Sequence, residues 1–160
     1  MWSEDILELV KNMEGFEAKA KPCPAGVLTI GYGHTTSAGP PAVKRGKTIT
    51  AVEADSLLRM DLGRCLQNIL PLLPVLREAE IEALCSFVFN VGESAFEGST
   101  LLRRIRAGCG PKAVREAFCM WVKYTDPLTG ERLTAGGLVR RRRAEAAFFL
   151  QDEDWRQYKV

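Results

Sequence analysis

The chain has 160 residues, of which 46% are hydrophobic and 26% charged, with a formal net charge of +2. That length suits one domain with a real core, and the balance is that of an ordinary globular protein. So weak a positive charge argues against a dedicated nucleic-acid binder, no apolar run approaches a membrane span, and five cysteines without a CxxC pair, beside one histidine, argue against a structural zinc site. The thiols read as mostly reduced and buried, in a protein made in a reducing compartment. Glu4, Asp5 and Glu8 interrupt residues 1–13, so no export signal is expected there.

In chain order, residues 3–13 suit a helix capped by Ser3, with Ile6, Leu7, Val10 and Met13 as its apolar stripe and Gly15 at its end. Glu14 then sits at the helix C-terminus, where the dipole disfavours a negative charge. It reads either as a solvated terminal carboxylate or as one kept there to donate a proton. Residues 17–34 hold Pro22, Pro24, Gly26, Gly31 and Gly33, which forbid a helix. Val27 to Ile30 is β-prone, so two or three short strands are expected beside the first helix. Residues 35–49 are loop-like, with a turn at Gly39-Pro40-Pro41.

Thr50-Ala51-Val52-Glu53 is a capping box. It opens a helix to about Leu70, long enough to bridge two lobes and broken by Pro71 and Pro74. Leu76 to Val91 is a second apolar helix closed by Gly92, with Asn90 the polar residue of its end. Gly98-Ser99-Thr100 caps a short helix, Pro111 opens another, and residues 124–136 read as a polar loop. The last long helix covers about 137–151, and the tail DEDWRQYKV reads as peripheral. Trp121, at helical spacing with Val114 and Phe118, reads as core.

Glycosidic hydrolysis needs a proton donor for the leaving oxygen and a group that handles the nucleophile. Glu14 can donate and the Thr29 hydroxyl can hold a water. Where a second carboxylate is wanted, the segment offers Cys23, and an ordinary thiol is only a few per cent thiolate at neutral pH. Cys23 is then a direct nucleophile, a helper that positions water, or a plain buried cysteine.

Glu14-x8-Cys23-x5-Thr29 followed by IGYGHT resembles the phage-type lysozymes, glycoside hydrolase family 24. TxxEA at 50–54, Asp61, FNVG at 89–92, GSTLL at 98–102 and GLVRRR at 137–142 resemble its later blocks, so the likeness covers nearly the whole chain. It implies an α+β, mostly helical fold with two lobes: a β-hairpin lobe at about 15–50, a connecting helix at 51–70, and a helical lobe at 71–160 that takes in helix 3–13, with a cleft between them. It implies an endolysin, a muramidase that cleaves the β-1,4 bond between N-acetylmuramic acid and N-acetylglucosamine in peptidoglycan, without cofactor or metal.

The family's acid and threonine fall on Glu14 and Thr29. Its usual aspartate falls on Cys23, a departure that some members share. His34 is expected to pair with Asp61, which orients the hairpin against the long helix; a Cys23–His34 dyad lacks any accompanying oxyanion-hole signal. One residue of the arginine run 140–143 must face inward, and the resemblance makes it Arg141, facing Glu14. The other arginines are expected to attract the anionic wall polymer. Gly31, Tyr32 and Asn90 are expected to touch the glycan. The partners implied are the peptidoglycan strand and a holin for membrane passage, with no nucleic acid, no membrane anchor and a monomeric state. The expected location is the host cytoplasm before release to the wall. The competing class is a lysozyme-fold module that binds glycan, or serves as scaffold, without cutting.

Overall fold

The computed structural model describes residues 1–23 and 26–159. The chain divides into two compact units, Met1–Arg64 and Cys65–Val160. The mostly helical α+β expectation holds, with small antiparallel sheets among the helices. Among the described residues no helix is long and apolar enough to cross a membrane.

In the first unit, α1 (Glu4–Glu14) starts where sequence chemistry puts it. The Ser3 hydroxyl accepts the Ile6 N–H at 3.3 Å, and Glu4 and Asp5 sit at the positive end of the helix dipole. Ile6, Leu7, Leu9 and Val10 are buried. Gly15, at φ 72°, ends the helix. Three strands follow, β1 (Glu17–Pro22), β2 (Leu28–Gly31) and β3 (His34–Thr35), in an antiparallel sheet of that order. Residues 47–49 run along the free edge of β1: Ala20 N–H donates to Lys47 O at 2.8 Å and Ile49 N–H to Ala18 O at 2.9 Å. Ala20, Ile30, Val43 and Leu57 form a small core under the sheet, with Leu28 and Ile49 against it.

The capping box forms as expected. Glu53 accepts the Thr50 N–H at 2.7 Å, and Thr50 Oγ1 accepts the Glu53 N–H at 3.2 Å. It opens α2 (Ala51–Ile69), whose first part belongs to the first unit. That part ties back to α1 and the residues before it: Lys11 pairs with Asp55, Arg59 Nη2 donates to Glu4 Oε1 at 3.4 Å, and Trp2 Nε1 donates to Arg59 O at 3.2 Å.

The second unit holds α3 (Glu78–Val91), α4 (Glu93–Glu97), α5 (Thr100–Arg106), α6 (Pro111–Cys119) and α7 (Gly136–Leu150). Helix α3 starts two residues later than expected, because the Glu80 carboxylate accepts the Arg77 N–H at 2.8 Å and fixes Arg77 as the cap. The core is aromatic. Phe87 meets Phe96, Phe118 and Trp121 edge-on, with centroids 6.2, 5.5 and 5.8 Å away, and Phe118 meets Phe149 at 5.7 Å.

Four expectations need correction here. The polar loop at 124–136 contains a hairpin, β4 (Lys123–Thr125) paired with β5 (Arg132–Thr134). Its strands are exposed triplets with no buried face, so no apolar alternation announces them. The turn is closed by Asp126 N–H to Glu131 O at 2.9 Å and by the Asp126 carboxylate, which accepts the Leu128 N–H at 2.8 Å. The tail is not peripheral: Trp155 is buried in a 3-10 turn, its ring 6.4 Å from Phe148. The arginine run turns two residues inward rather than one, since Arg141 and Arg142 are both buried. The cysteines form no disulfide, and only Cys85 is buried; Cys23, Cys65 and Cys119 are half-buried and Cys109 is exposed.

Candidate active site

The chemistry-bearing residues of the first unit are gathered by the sheet register. Lys21 lies opposite Thr29 and Pro22 opposite Leu28. The ladder continues past β1: Cys23 N–H donates to Val27 O at 2.8 Å, and Gly26 N–H closes the turn on Cys23 O at 2.8 Å. Strand side chains alternate. Ala20, Leu28 and Ile30 point into the small core, so Lys21, Cys23 and Thr29 share the opposite face. Cys23 and Thr29 are diagonal neighbours on that face, about 7 Å apart between α-carbons. Both are half-buried, and the Thr29 hydroxyl donates to Lys21 O at 3.3 Å.

Glu14, also half-buried, is the last residue of α1. It comes three residues before Glu17, whose partner across the sheet is Gly31. Three residues span at most about 10 Å, so the carboxylate stays near the Gly31 end of β2, whereas Thr29 and Cys23 lie toward its other end, opposite Lys21 and Val27. An acid, a hydroxyl and a thiol thus stand on one short hairpin and the helix end that leads into it. Glycosidic hydrolysis can use that set, with the second carboxylate replaced by sulfur.

Gly31 has a structural reason to be glycine. Its φ is +66°, and a Cβ there would lie 3.1 Å from both the Ala54 Cβ and the Ile49 Cδ1. Tyr32 packs against Phe16, with ring centroids 5.7 Å apart, and has the Lys11 ammonium over its ring at 5.6 Å. Phe16 carries no apolar periodicity with its neighbours; only its place two residues past the helix end hints at this contact.

His34 and Asp61 do pair, at 2.8 Å between Nδ1 and Oδ2, both almost fully buried. The other ring nitrogen faces Pro41 O at 2.9 Å. A carbonyl only accepts, so His34 Nε2 carries a proton and donates it there. Arg64 completes the group, donating to Asp61 Oδ1 at 2.6 Å and to Pro40 O at 2.7 Å. Its guanidinium fills the space beside Gly39, where a Cβ would stand 2.6 Å from it. Burial pushes the Asp61 carboxyl above the usual carboxylate range, against the opposing pull of His34 and Arg64. The network fastens the loop after β3 to α2. Arg64 escaped the sequence reading, though its position three residues after Asp61 is the spacing at which helical side chains meet.

Asn90 and Arg141 belong to the second unit. Arg141 Nε donates to Glu145 Oε1 at 3.0 Å, and its Nη2 to Ser86 O at 3.2 Å. Arg142 donates to the other Glu145 oxygen and to Asn90 Oδ1, and its guanidinium lies 4.8 Å from the centre of the Phe87 ring. Ser86 Oγ donates to Glu145 Oε1 at 2.7 Å. The Asn90 carbonyl oxygen is therefore engaged by Arg142, which leaves its amide N–H groups to face other partners. Glu145, fully buried, was missed in the sequence although it stands three and four residues beyond the two inward arginines.

Comparison with known proteins places the chain in a family. The profile of the phage lysozyme family matches residues 11–145. An endolysin of Salmonella phage P22 is 39% identical over 150 residues, covering 92% of this chain and 97% of its own. Among solved structures, an endolysin from the Escherichia coli O157:H7 phage FAHEc1 superposes with a TM-score of 0.83 at 34% identity, covering 96% of each chain. The muramidase domain of SpmX from Asticaccaulis excentricus gives 0.81 at 35% identity, covering 92% of this chain and 96% of its own. Motif blocks, hairpin register and helical second unit converge, and the chain belongs to the phage lysozyme family.

Proposed function

We infer that this chain is an endolysin, a peptidoglycan-hydrolysing glycosidase used in host-cell lysis. The observation that carries this reading is the hairpin: its register sets Cys23 and Thr29 on one face of the sheet that follows the helix ending in Glu14. Family membership along most of the chain supports it.

In finer detail, the bond cut is the β-1,4 link between N-acetylmuramic acid and N-acetylglucosamine. Protonated Glu14 gives its proton to the leaving oxygen as the anomeric C–O bond breaks. A water held by the Thr29 hydroxyl, with the Cys23 thiol beside it, attacks the anomeric carbon from the opposite side and releases a proton to solvent, inverting the centre. Glu14 then regains a proton from solvent. His34, Asp61 and Arg64 act at a distance, by holding the loop behind the sheet. Gly31, Tyr32 and Asn90 are the residues offered to the glycan, Asn90 through its amide N–H groups. The substrate lies beyond the inner membrane, so passage from the cytoplasm through a holin pore, and action as a monomer, belong to the same reading.

Digestion of purified peptidoglycan, with mass spectrometry of the soluble products, tests it on wild type, Glu14→Gln and Cys23→Ser. Wild type is expected to release fragments with reducing N-acetylmuramic ends, and Glu14→Gln to release none while keeping its circular dichroism spectrum. Full activity in Cys23→Ser would confine sulfur to a spectator role. Wild type that pellets with the wall yet releases nothing would make the protein a binding module and overturn the reading.

A further inference from the structure

The expected attraction to the wall polymer was assigned to the arginine run, but the structure buries half of it. Arg141 and Arg142 are committed to Glu145, Ser86 and Asn90, and only Arg140 and Arg143 stay exposed. The first unit has a cationic surface of its own. Residues 15–50 hold Lys19, Lys21, Lys44, Arg45 and Lys47 against the single acid Glu17, a formal +4, whereas the whole chain carries only +2. The rest of the chain therefore sums to a formal −2, although residues 98–115 of the second unit also hold five cations and no acid.

Backbone pairing brings these residues into one patch. Lys19 and Lys21 flank the buried Ala20 on β1 and are both exposed, and Lys21 lies opposite Thr29; the register shifts between Glu17 and Lys21, which interrupts the alternation at Lys19. The edge segment is bridged to β1 through Lys19 and Thr48 and through Ala20 N–H to Lys47 O. Lys47 N–H donates to Lys44 O at 3.1 Å, which folds Lys44 and Arg45 into a turn at that same edge. Two of the five cations face acids: Lys21 pairs with Glu17, and Lys47 lies near enough to Glu53 to help hold its carboxyl below the usual range, after the stronger effect of the Thr50 hydrogen bonds. Lys19, Lys44 and Arg45 are exposed and form no ion pair among the described residues.

We propose that Lys19, Lys44 and Arg45 form an anion-binding face that holds the carboxylates of peptidoglycan stem peptides while the adjoining face of the sheet works on the glycan. This rests on the endolysin reading above. Three observations favour that occupant. The patch is cationic within a chain that is otherwise net negative. It adjoins, through Lys21, the face that carries Thr29 and Cys23. And the proposed substrate is a glycan strand that bears carboxylates at regular intervals. A charged surface of this kind raises the local concentration of an opposite polymer and loses its effect in salt.

The test compares Glu14→Gln with the same protein carrying K19E, K44E and R45E, so that binding is read without cutting. Both are sedimented with sacculi of a Gram-negative bacterium, which lack wall phosphate polymers, over a range of NaCl. The parent is expected to bind about tenfold more tightly at low salt than the charge-reversed protein. It should lose that advantage as salt approaches about 1 M, where the screening length falls to about 3 Å. Sacculi whose stem carboxylates have been amidated by carbodiimide should bind both proteins equally. In a Glu14 background, K19E/K44E/R45E should still cleave a short glycan that lacks stem peptides at the wild-type rate, with an unchanged unfolding midpoint, since all three side chains are exposed.

Equal affinity and equal salt slope on intact sacculi would overturn the proposal and leave the endolysin reading standing. So would charge reversal that weakens binding to duplex DNA but not to sacculi, or a salt-dependent advantage that survives amidation. Salt-dependent, carboxylate-dependent binding by a wild type that releases no fragments would instead keep the anion-binding face and overturn the hydrolase.

Discussion

At Gly31 two constraints meet in one residue. The backbone is at φ +66°, where a side chain is strained, and the space a Cβ would take is already in contact with Ala54 and Ile49. Gly31→Ala should lose about 1–3 kcal/mol of unfolding free energy in urea denaturation, with Tyr32 fluorescence reporting a shifted ring. Asp61 is a different kind of case, a buried carboxylate whose two oxygens serve two cationic or polar partners. Asp61→Ala leaves the His34 ring and the Arg64 guanidinium without their acceptor and should cost about 3–5 kcal/mol. If the loop after β3 is fastened through this network, its amide hydrogens should also exchange faster in the variant than in wild type, a readout that a uniform loss of stability would not confine to residues 36–43.

At the scale of the element, α7 shows how a helix can bury charge. Two consecutive arginines point inward because Glu145, one turn on, supplies a carboxylate with an oxygen for each. Ser86 on α3 completes the carboxylate's bonds, and Phe87 lies under the second guanidinium. Replacing the acid while keeping its shape isolates the charge. Glu145→Gln is expected to destabilise the protein by about 3–5 kcal/mol, measured by thermal or urea unfolding, because both arginines then stay buried with less compensation. A loss below about 1 kcal/mol, the range of a surface pair, would show that water reaches these arginines in solution.

For the molecule as a whole, the buried and paired carboxylates make opposite contributions to its response to acid. Asp55 is held below the usual carboxylate range, first by the Arg59 hydrogen bond and then by that of Lys11. A depressed native value means stability present above the ordinary carboxylate pKa of about 4 and lost as pH falls through the native value. Asp61 is raised by burial, so its contribution has the reverse sign: present below the ordinary value and lost as pH rises through the raised one. Asp55→Asn should therefore be less stable than wild type at neutral pH, with the gap closing as pH drops below about 4. Urea midpoints recorded across that range check it, and a gap that stays constant with pH would deny the pairing a role.

Local chemistry determined much of this protein before any tertiary contact was considered. Ser3, the Thr50–Glu53 box and Pro111 open helices where their side chains or ring satisfy free backbone groups, and Gly15 and Gly92 close them. Pro22, Gly26, Gly31 and Gly33 leave the segment after α1 nothing but short strands and turns. Glu14, Cys23 and Thr29 could be singled out because their spacing lies within one such segment, and the His34–Asp61 pair because the resemblance to the phage-type lysozymes implied it. Other features were decided by the tertiary structure, since they depend on what lies opposite a residue rather than beside it. The hairpin at 123–134 has no buried face to leave a pattern. Trp155 is buried although its neighbours are polar. The arginine run split into an outer and an inner pair because Glu145 and Ser86 were there to receive two guanidinium groups, and charge is buried only where such partners converge.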